Sequence, residues 1–285
     1  MKAKIQTIEF KRLVLKIALG VALVGIVVCT VGIIDTAKQY SNSKKEYSRL
    51  NMYVSVNPDR VTKQPTVETE PEEIDEQEVP EEPVVKLIDV DFDMDFDALQ
   101  KINPDLVGWL YYEPLEISYP IVLGRDDDYY EHYSFEQEKN VAGAIFTDYL
   151  CKPDLTNFNT IIYGHSMRNG TMFGKLKNFM LDESLYLDNP NFYVFTKDEA
   201  LMYEIVAIYY TGEKSQTYDL KVDYTQEEKQ EYIDYMEESA TFKNEEFFKN
   251  GIDENTKICT LSTCHGHNTG KRTVVQAVLK ARESR

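Results

Sequence analysis

Residues 17–34, IALGVALVGIVVCTVGII, form one uncharged apolar run. With the LVL that precedes Lys16, the stretch reaches about 20 residues, enough to cross a ~30 Å hydrocarbon core as a helix. Lys2, Lys4, Lys11, Arg12 and Lys16 come before it. That bias keeps the N-terminus in the cytoplasm and sends the remainder outside. A cleaved signal peptide has a shorter apolar core, roughly 7–15 residues, and ends in a small-x-small site. DTAKQY (residues 35–40) is a poor match to such a site, and Val28 stands before Cys29 where a lipoprotein needs a small residue. The expectation is an uncleaved signal anchor over residues 13–34, behind a cytoplasmic segment of residues 1–12. Residues 35–54 are polar and continue the helix for a few turns.

The pattern then loses its apolar positions. ETEPEEIDEQEVPEEP (residues 68–83) holds nine acids, three prolines and no base. Such a segment repels itself and has little to bury, so it predicts an extended, disordered spacer. At about 3.1 Å per residue, some 30 residues of polyproline-like chain reach roughly 90 Å at most. Anionic lipid repels it as well, which would hold a domain off the membrane. The expectation is an extracytoplasmic stalk and linker over residues 35–83 and a folded domain over residues 84–285.

Within that domain, short runs rich in β-branched and aromatic residues alternate with Gly, Pro, Asn and Asp. They are VGWLYY (107–112), ISYPIVL (117–123), AGAIFTD (142–148), NTIIYG (159–164), NFYVFT (191–196), LMYEIVAIYY (201–210), TKICTLST (256–263) and RTVVQAVLKA (272–281). Many such runs predict a closed or nearly closed sheet. Helical spacing appears in FDALQKI (96–102), GTMFGKLKNFM (170–180) and TQEEKQEYIDYMEESATF (225–242). In the last, Thr225 followed by acids is an N-terminal signature, and Tyr232, Ile233, Tyr235 and Met236 make an apolar face.

Charge and cysteine use narrow the function classes. A net charge of -18 excludes a nucleic-acid partner, because a phosphate backbone needs a basic surface. Outside the apolar run the cysteines are Cys151, Cys259 and Cys264. Three cannot all pair, so at least one thiol is free.

If TKICTLST is a strand, Thr260, Ser262 and Cys264 point one way and Cys259, Leu261 and Thr263 the other. Cys259 reads as a small core residue. Cys264 ends its strand and opens the polar loop HGHNTGK, where a side chain is accessible. A thiol is only a few per cent ionised at neutral pH, so nucleophilic chemistry needs a base or cation beside it. His165 also ends a strand-like run and opens a polar loop. Arg272 begins the last run and brings a permanent charge with fixed donors; it reads equally as a surface arginine at a strand end. Zinc is the competing use of Cys264, His265 and His267, but the alternation points His265 away from Cys264, and neither a Cys-x-x-Cys nor a His-Glu-x-x-His pattern accompanies them. His132, in DDDYYEHYSF, reads as a helix or loop histidine of no special role.

TLSTC (260–264), IIYGHSM (161–167) and RTVVQA (272–277) resemble the three active-site segments of sortases, the cysteine transpeptidases of Gram-positive cell envelopes. The order His, Cys, Arg is the same. The resemblance covers about residues 94–281 and is nearest to class B, whose opening segment is similar to LQKINPDLVGWLYY and ISYPIVLGRDDDYYEHYSF. It implies a mainly β fold with flanking helices, an eight-stranded sortase-like barrel, behind a single transmembrane helix. Class B members often carry an acid one or two positions beyond the cysteine; His265 and Gly266 stand there instead.

By this likeness Cys264 is the nucleophile, His165 the proton donor and acceptor, and Arg272 the holder of the substrate backbone and the developing oxyanion. Tyr163, Ser262 and Thr263 are the implied substrate-binding residues. The implied partners are secreted proteins bearing a C-terminal sorting motif, cleaved at a threonine, and an amine from a peptidoglycan precursor or a pilin. The likeness implies no metal or other cofactor. Two rivals stand beside it: an anchored cysteine endopeptidase using the same Cys264–His165 pair, and an envelope binding module in which Cys264 is incidental.

Overall fold

The computed structural model describes residues 2–57, 88, 90–250, 252–263 and 270–285. They fall into two compact units, Met1–Lys45 and Glu46–Arg285. The first consists of most of helix α1 (Lys2–Leu50). Among the described residues, one helix is long and apolar enough to cross a membrane, over Leu15–Tyr53. Leu19, Val24, Ile26 and Val31 are exposed along it. Its hydroxyls turn inward on the backbone: Thr30 Oγ1 donates to the Ile26 carbonyl at 2.8 Å and Thr36 Oγ1 to that of Gly32 at 2.9 Å. Polar groups are thus satisfied within the helix, as an apolar solvent demands.

The second unit begins at Glu46, well before the expected start at residue 84. Tyr47 and Leu50, one helical turn apart, are both buried. A single 3₁₀ turn (Asn51–Tyr53) follows, and then strand β1 (Val54–Asn57) pairs antiparallel with β2 (Asp91–Met94). Asn57 and Asp91 are register partners. A few apolar residues in a polar context gave too little periodicity to reveal this. The acidic stretch itself lies outside the described residues.

Every strand-like run of the sequence is a strand. They are β3 (Leu106–Tyr112), β4 (Ile117–Leu123), β5 (Ile145–Thr147), β6 (Asn159–Gly164), β7 (Asn191–Phe195), β8 (Glu199–Gly212), β10 (Ile258–Thr263) and β11 (Lys271–Ser284), with the short β9 (Phe242–Lys243) on the edge of β8. The order β11-β10-β6-β5-β4-β3-β7-β8 closes on itself through β11–β8. The result is a mixed eight-stranded barrel with two parallel pairs, β4–β5 and β6–β10. β8 and β11 run for 14 residues each. Register shifts at Gln276/Ala277 and Leu279/Ala281 bend this ribbon enough to close the sheet. Trp109, Leu110, Ile121, Ile162, Val194 and Val275 are fully buried in it, each contributing roughly 1.5–3 kcal/mol of hydrophobic stabilisation.

Helix α2 (Phe96–Ile102) matches its sequence pattern, capped by Asp95, whose carboxylate accepts from the Ala98 amide. Helices α3 (Tyr129–His132) and α4 (Ser184–Asp188) are single turns. His132 sits exposed at the end of α3, 3.6 Å from Asp128. Helix α5 (Gln226–Ser239) starts in a full capping box between Thr225 and Glu228. Its Tyr232, Ile233 and Met236 are buried against Ile258, Val274 and Val278, so α5 covers one face of β10 and β11; α6 (Glu245–Asn250) follows. The expected helix over residues 170–180 is confined to a 3₁₀ segment, Leu176–Met180. Positive φ at Gly170 and Met172 turns the chain before it can wind.

Candidate active site

Three strands end on one rim of the barrel. β6 and β10 run parallel and in register, with Ser262 beside Tyr163 and Thr263 beside Gly164. That last pair is one residue short of Cys264 in one strand and of His165 in the other. β11 enters the same rim antiparallel, with Ser262 beside Val274, and the Thr273 amide donates to Thr263 Oγ1 at 2.9 Å. Arg272 is the next residue outward. Gly164 is needed at this rim, because a Cβ there would lie 2.5 Å from Ile145 Cδ1 and 2.9 Å from the Phe173 ring.

Alternation assigns the faces. Thr260, Ser262 and Gln276 face α5, where they join a buried polar network. Thr260 Oγ1 donates to Asn159 Oδ1 at 2.8 Å, and Asn159 Nδ2 to the Tyr232 hydroxyl at 2.8 Å. Gln276 Nε2 donates to Tyr232 and Thr260, while its Oε1 accepts from the Tyr209 hydroxyl, which also bonds Thr217 at 2.9 Å. Thr217 lies in the segment between β8 and α5, so the network fixes the neighbouring residue, Tyr218. The Tyr218 hydroxyl meets Ser262 Oγ at 2.8 Å.

Arg272 lies against two aromatic rings on this face. Its guanidinium carbon is 5.1 Å from the Tyr218 centroid and 5.9 Å from that of Tyr163. Such contacts contribute about 0.5–2 kcal/mol each, depending on desolvation. Arg272 Nε is buried and has no hydrogen-bond partner among the described residues. A buried donor left unpaired is costly, and so is ready for an oxygen brought by a ligand. Ser262, fully buried, touches the clamp through Tyr218. Thr263, the other expected substrate-binding residue of β10, is on the opposite face, 2% exposed, with its hydroxyl accepting from the Thr273 amide.

Two carboxylates border the clamp. The Tyr163 hydroxyl donates to Asp148 Oδ2 at 3.0 Å, and burial together with that negative charge pushes the phenol far above its ordinary range. Asp127 is half-buried, and Oδ1 accepts from the Tyr149 amide at 2.9 Å. Its pKa is pushed up to about 6, first by burial and then by the charge of Asp148; the Tyr149 amide and Arg272 oppose the shift.

His165 is half-buried, with Nε2 2.7 Å from the Glu131 carbonyl. A carbonyl can only accept, so Nε2 carries a proton in this arrangement. The backbone carbonyl of His165 accepts from the Met167 and Phe173 amides, both at 3.0 Å. Cys264, His265 and His267 lie outside the described residues. Cys259 is 1% exposed, and burial pushes its thiol up. Burial likewise pushes the Cys151 thiol up to about 12. Among the described residues no cluster of His, Cys, Asp or Glu is arranged to hold a metal.

A family model described as the sortase domain matches residues 110–280, from β3 into β11. The chain belongs to the sortase family. Sortase B of Listeria monocytogenes is 36% identical over 168 residues, covering 58% of this chain and 65% of that protein. Sortase B of Staphylococcus aureus is 31% identical over 186 residues, covering 64% and 73%. The crystal structure of sortase B from Bacillus anthracis superposes with a TM-score of 0.57 at 34% identity, covering 66% of this chain and 84% of that one. The matched stretch thus spans about two thirds of the Listeria protein.

The sortase-matched region contains Tyr163, His165, Ser262, Cys264 and Arg272 together with three residues that the sequence reading passed over. Tyr218 lies in an irregular stretch without periodicity and carried no signal. Asp127 and Asp148 stood among many acids. A faint signal did exist for Gln276, a polar residue inside the apolar run VVQAVL on the face it shares with Arg272. Such a residue needs buried partners, and the network supplies them.

Proposed function

We propose that this sortase is a membrane-anchored cysteine transpeptidase with its catalytic unit outside the cell. The observation that supports the reading is the meeting of β6, β10 and β11 at one rim: β6 ends one residue before His165, β10 ends at Thr263, and Arg272 stands at the start of β11. Elimination supports the choice of Cys264. Burial opposes ionisation of Cys151 and Cys259, and Cys29 belongs to the apolar helix.

In this reading the Cys264 thiolate attacks a carbonyl carbon in a C-terminal sorting motif of a secreted protein. A C–S bond forms, and the charge that develops on the oxygen is met by Arg272, whose buried Nε has no partner among the described residues. The C–N bond then breaks, and the leaving amine takes a proton from His165. In the second step the amine of a peptidoglycan precursor or a pilin attacks the thioester. It yields a proton to His165, and the thiolate departs. Dividing the reaction at a covalent intermediate lets the enzyme hold one substrate until the other arrives. Tyr163 and Tyr218 hold the guanidinium in place. The basic residues before the apolar helix give a cytoplasmic N-terminus and an extracytoplasmic barrel.

Mass spectrometry of the full-length protein with a panel of sorting peptides tests this. We expect a thioacyl adduct on Cys264 that Cys264→Ala cannot form, and a ligated product when an amine is supplied. Formation of the free acid alone, with or without amine, would mean an endopeptidase. Unimpaired function of Cys264→Ala would mean a binding module.

A further inference from the structure

Residues 46–51 belong to the same compact unit as the barrel, and they are linked to both segments that hold His165, to one directly and to the other through Tyr119. The first segment, residues 130–144, presents the Glu131 carbonyl to His165 Nε2 at 2.7 Å. It is folded back on itself at Gly143, which has a φ of +57°; a Cβ there would lie 2.6 Å from the Tyr130 carbonyl oxygen and 2.8 Å from that of Glu131. The Ala144 amide ties down the Tyr130 carbonyl at 2.9 Å. The second segment, residues 166–173, grips the His165 backbone carbonyl through the Met167 and Phe173 amides.

Tyr47 reaches both. Its buried hydroxyl donates to the Gly143 carbonyl at 3.1 Å. Its ring meets Tyr119 edge to face, with centroids 5.1 Å apart. The Tyr119 hydroxyl in turn accepts from the Met172 amide at 3.0 Å, and Met172 itself has a positive φ. On either side of Tyr47 the helix is fastened to the first segment again. The Glu46 carboxylate accepts from the Glu136 amide at 2.9 Å, and Arg49 grips the Glu136 carboxylate at 2.7 and 2.8 Å.

We infer that Tyr47 is a positioning residue for the His165 imidazole, acting through Gly143 on one side and Tyr119 on the other. The last turn of the long N-terminal helix thereby belongs to the machinery that sets the geometry of His165. The catalytic part of this inference rests on the role proposed above for His165; the positional part does not. The Glu131 carbonyl accepts from Nε2 in either protonation state and more strongly from the imidazolium, so holding it in place favours the charged ring. Loosening that carbonyl lowers the titration midpoint of the ring.

The test uses the full-length chain with isotopically labelled histidine. The His165 resonance is assigned by its loss in His165→Gln. Tyr47→Phe keeps the ring and removes only the hydroxyl. Met52→Ala is the control, because Met52 lies just beyond the same short stretch with its side chain exposed. We expect Tyr47→Phe to lower the His165 midpoint and to reduce kcat about fivefold to tenfold with KM unchanged. Met52→Ala should leave the midpoint in place. A midpoint in Tyr47→Phe equal to that of the parent protein overturns the inference, whatever the change in melting temperature. Full turnover by His165→Gln would instead remove the proposed catalytic role of His165, while the titration would still decide the positional question.

Discussion

Arg272 and His165 stand on the same rim and are held in different ways. Arg272 is carried by a strand. Its two aromatic neighbours are fixed by a strand position, Tyr163, and by a buried network through Gln276, Tyr209 and Thr217. His165 has just left its strand, and its side chain is held by a backbone carbonyl from a distant loop. Side-chain networks in a sheet are satisfied locally and resist small displacements. A loop carbonyl is only as well placed as whatever holds the loop, which here includes residues ahead of the barrel. The guanidinium side should therefore be damaged mainly by changes inside the barrel, and the imidazole side by changes far from it.

The largest effect that sharpens this contrast is expected from Arg272→Lys. An ammonium keeps the charge but cannot match the planar fork or its seat against two rings. Turnover should fall by roughly 100- to 1,000-fold, the range for losing one oxyanion donor, with the fold intact by circular dichroism. Near-normal steady-state rates would remove the role given to Arg272.

Gln276→Leu comes next. It removes the Gln276 hydrogen bonds to Tyr209, Tyr232 and Thr260 from a buried layer, at a cost of about 1–3 kcal/mol. Each kcal/mol corresponds to about 2–4 °C in melting temperature for a domain of this size. Calorimetry should show that loss while the His165 titration stays in place. A shifted His165 midpoint would mean the two halves of the rim are coupled, and the contrast would fail.

Asp127→Asn should produce the smallest change, and one with a distinctive pH dependence. The folded pKa of Asp127 is raised from 3.8 to about 6, so the native state binds this proton more tightly than the unfolded chain does. Ionised Asp127 therefore carries a stability penalty, complete above about pH 6 and released as pH falls through 6 towards 4. The asparagine variant should melt higher than the parent at pH 7.5, and the difference should vanish near pH 4. Because the group is only half-buried, solvent screening holds the gain under about 1 kcal/mol. A gain of equal size at pH 4 would assign the effect to packing.

The legible parts of this protein share a cause. ISYPIVL and NTIIYG are strands with the same boundaries in pattern and structure because their β-branched and aromatic residues carry the signal along consecutive positions. Thr225 and Glu228 announce α5 because a capping box is local. GTMFGKLKNFM misled because its apolar spacing suits a helix while Gly170 and Met172 turn the chain. Tyr47 and Leu50 were hidden in a polar stretch that gave no hint of a partner nearly a hundred residues away at Gly143.

The amino-acid sequence by itself determined the long apolar helix, the set of barrel strands, and which residues could supply a thiol, an imidazole and a guanidinium. Those properties depend on side-chain chemistry and on spacings of a few residues. Only the tertiary structure decided that Val54–Asn57 pairs with Asp91–Met94, that Arg272 lies against Tyr163 and Tyr218, and that Tyr47 bonds the loop that meets His165. Those facts depend on contacts between residues tens of positions apart, which come together only when the sheet closes.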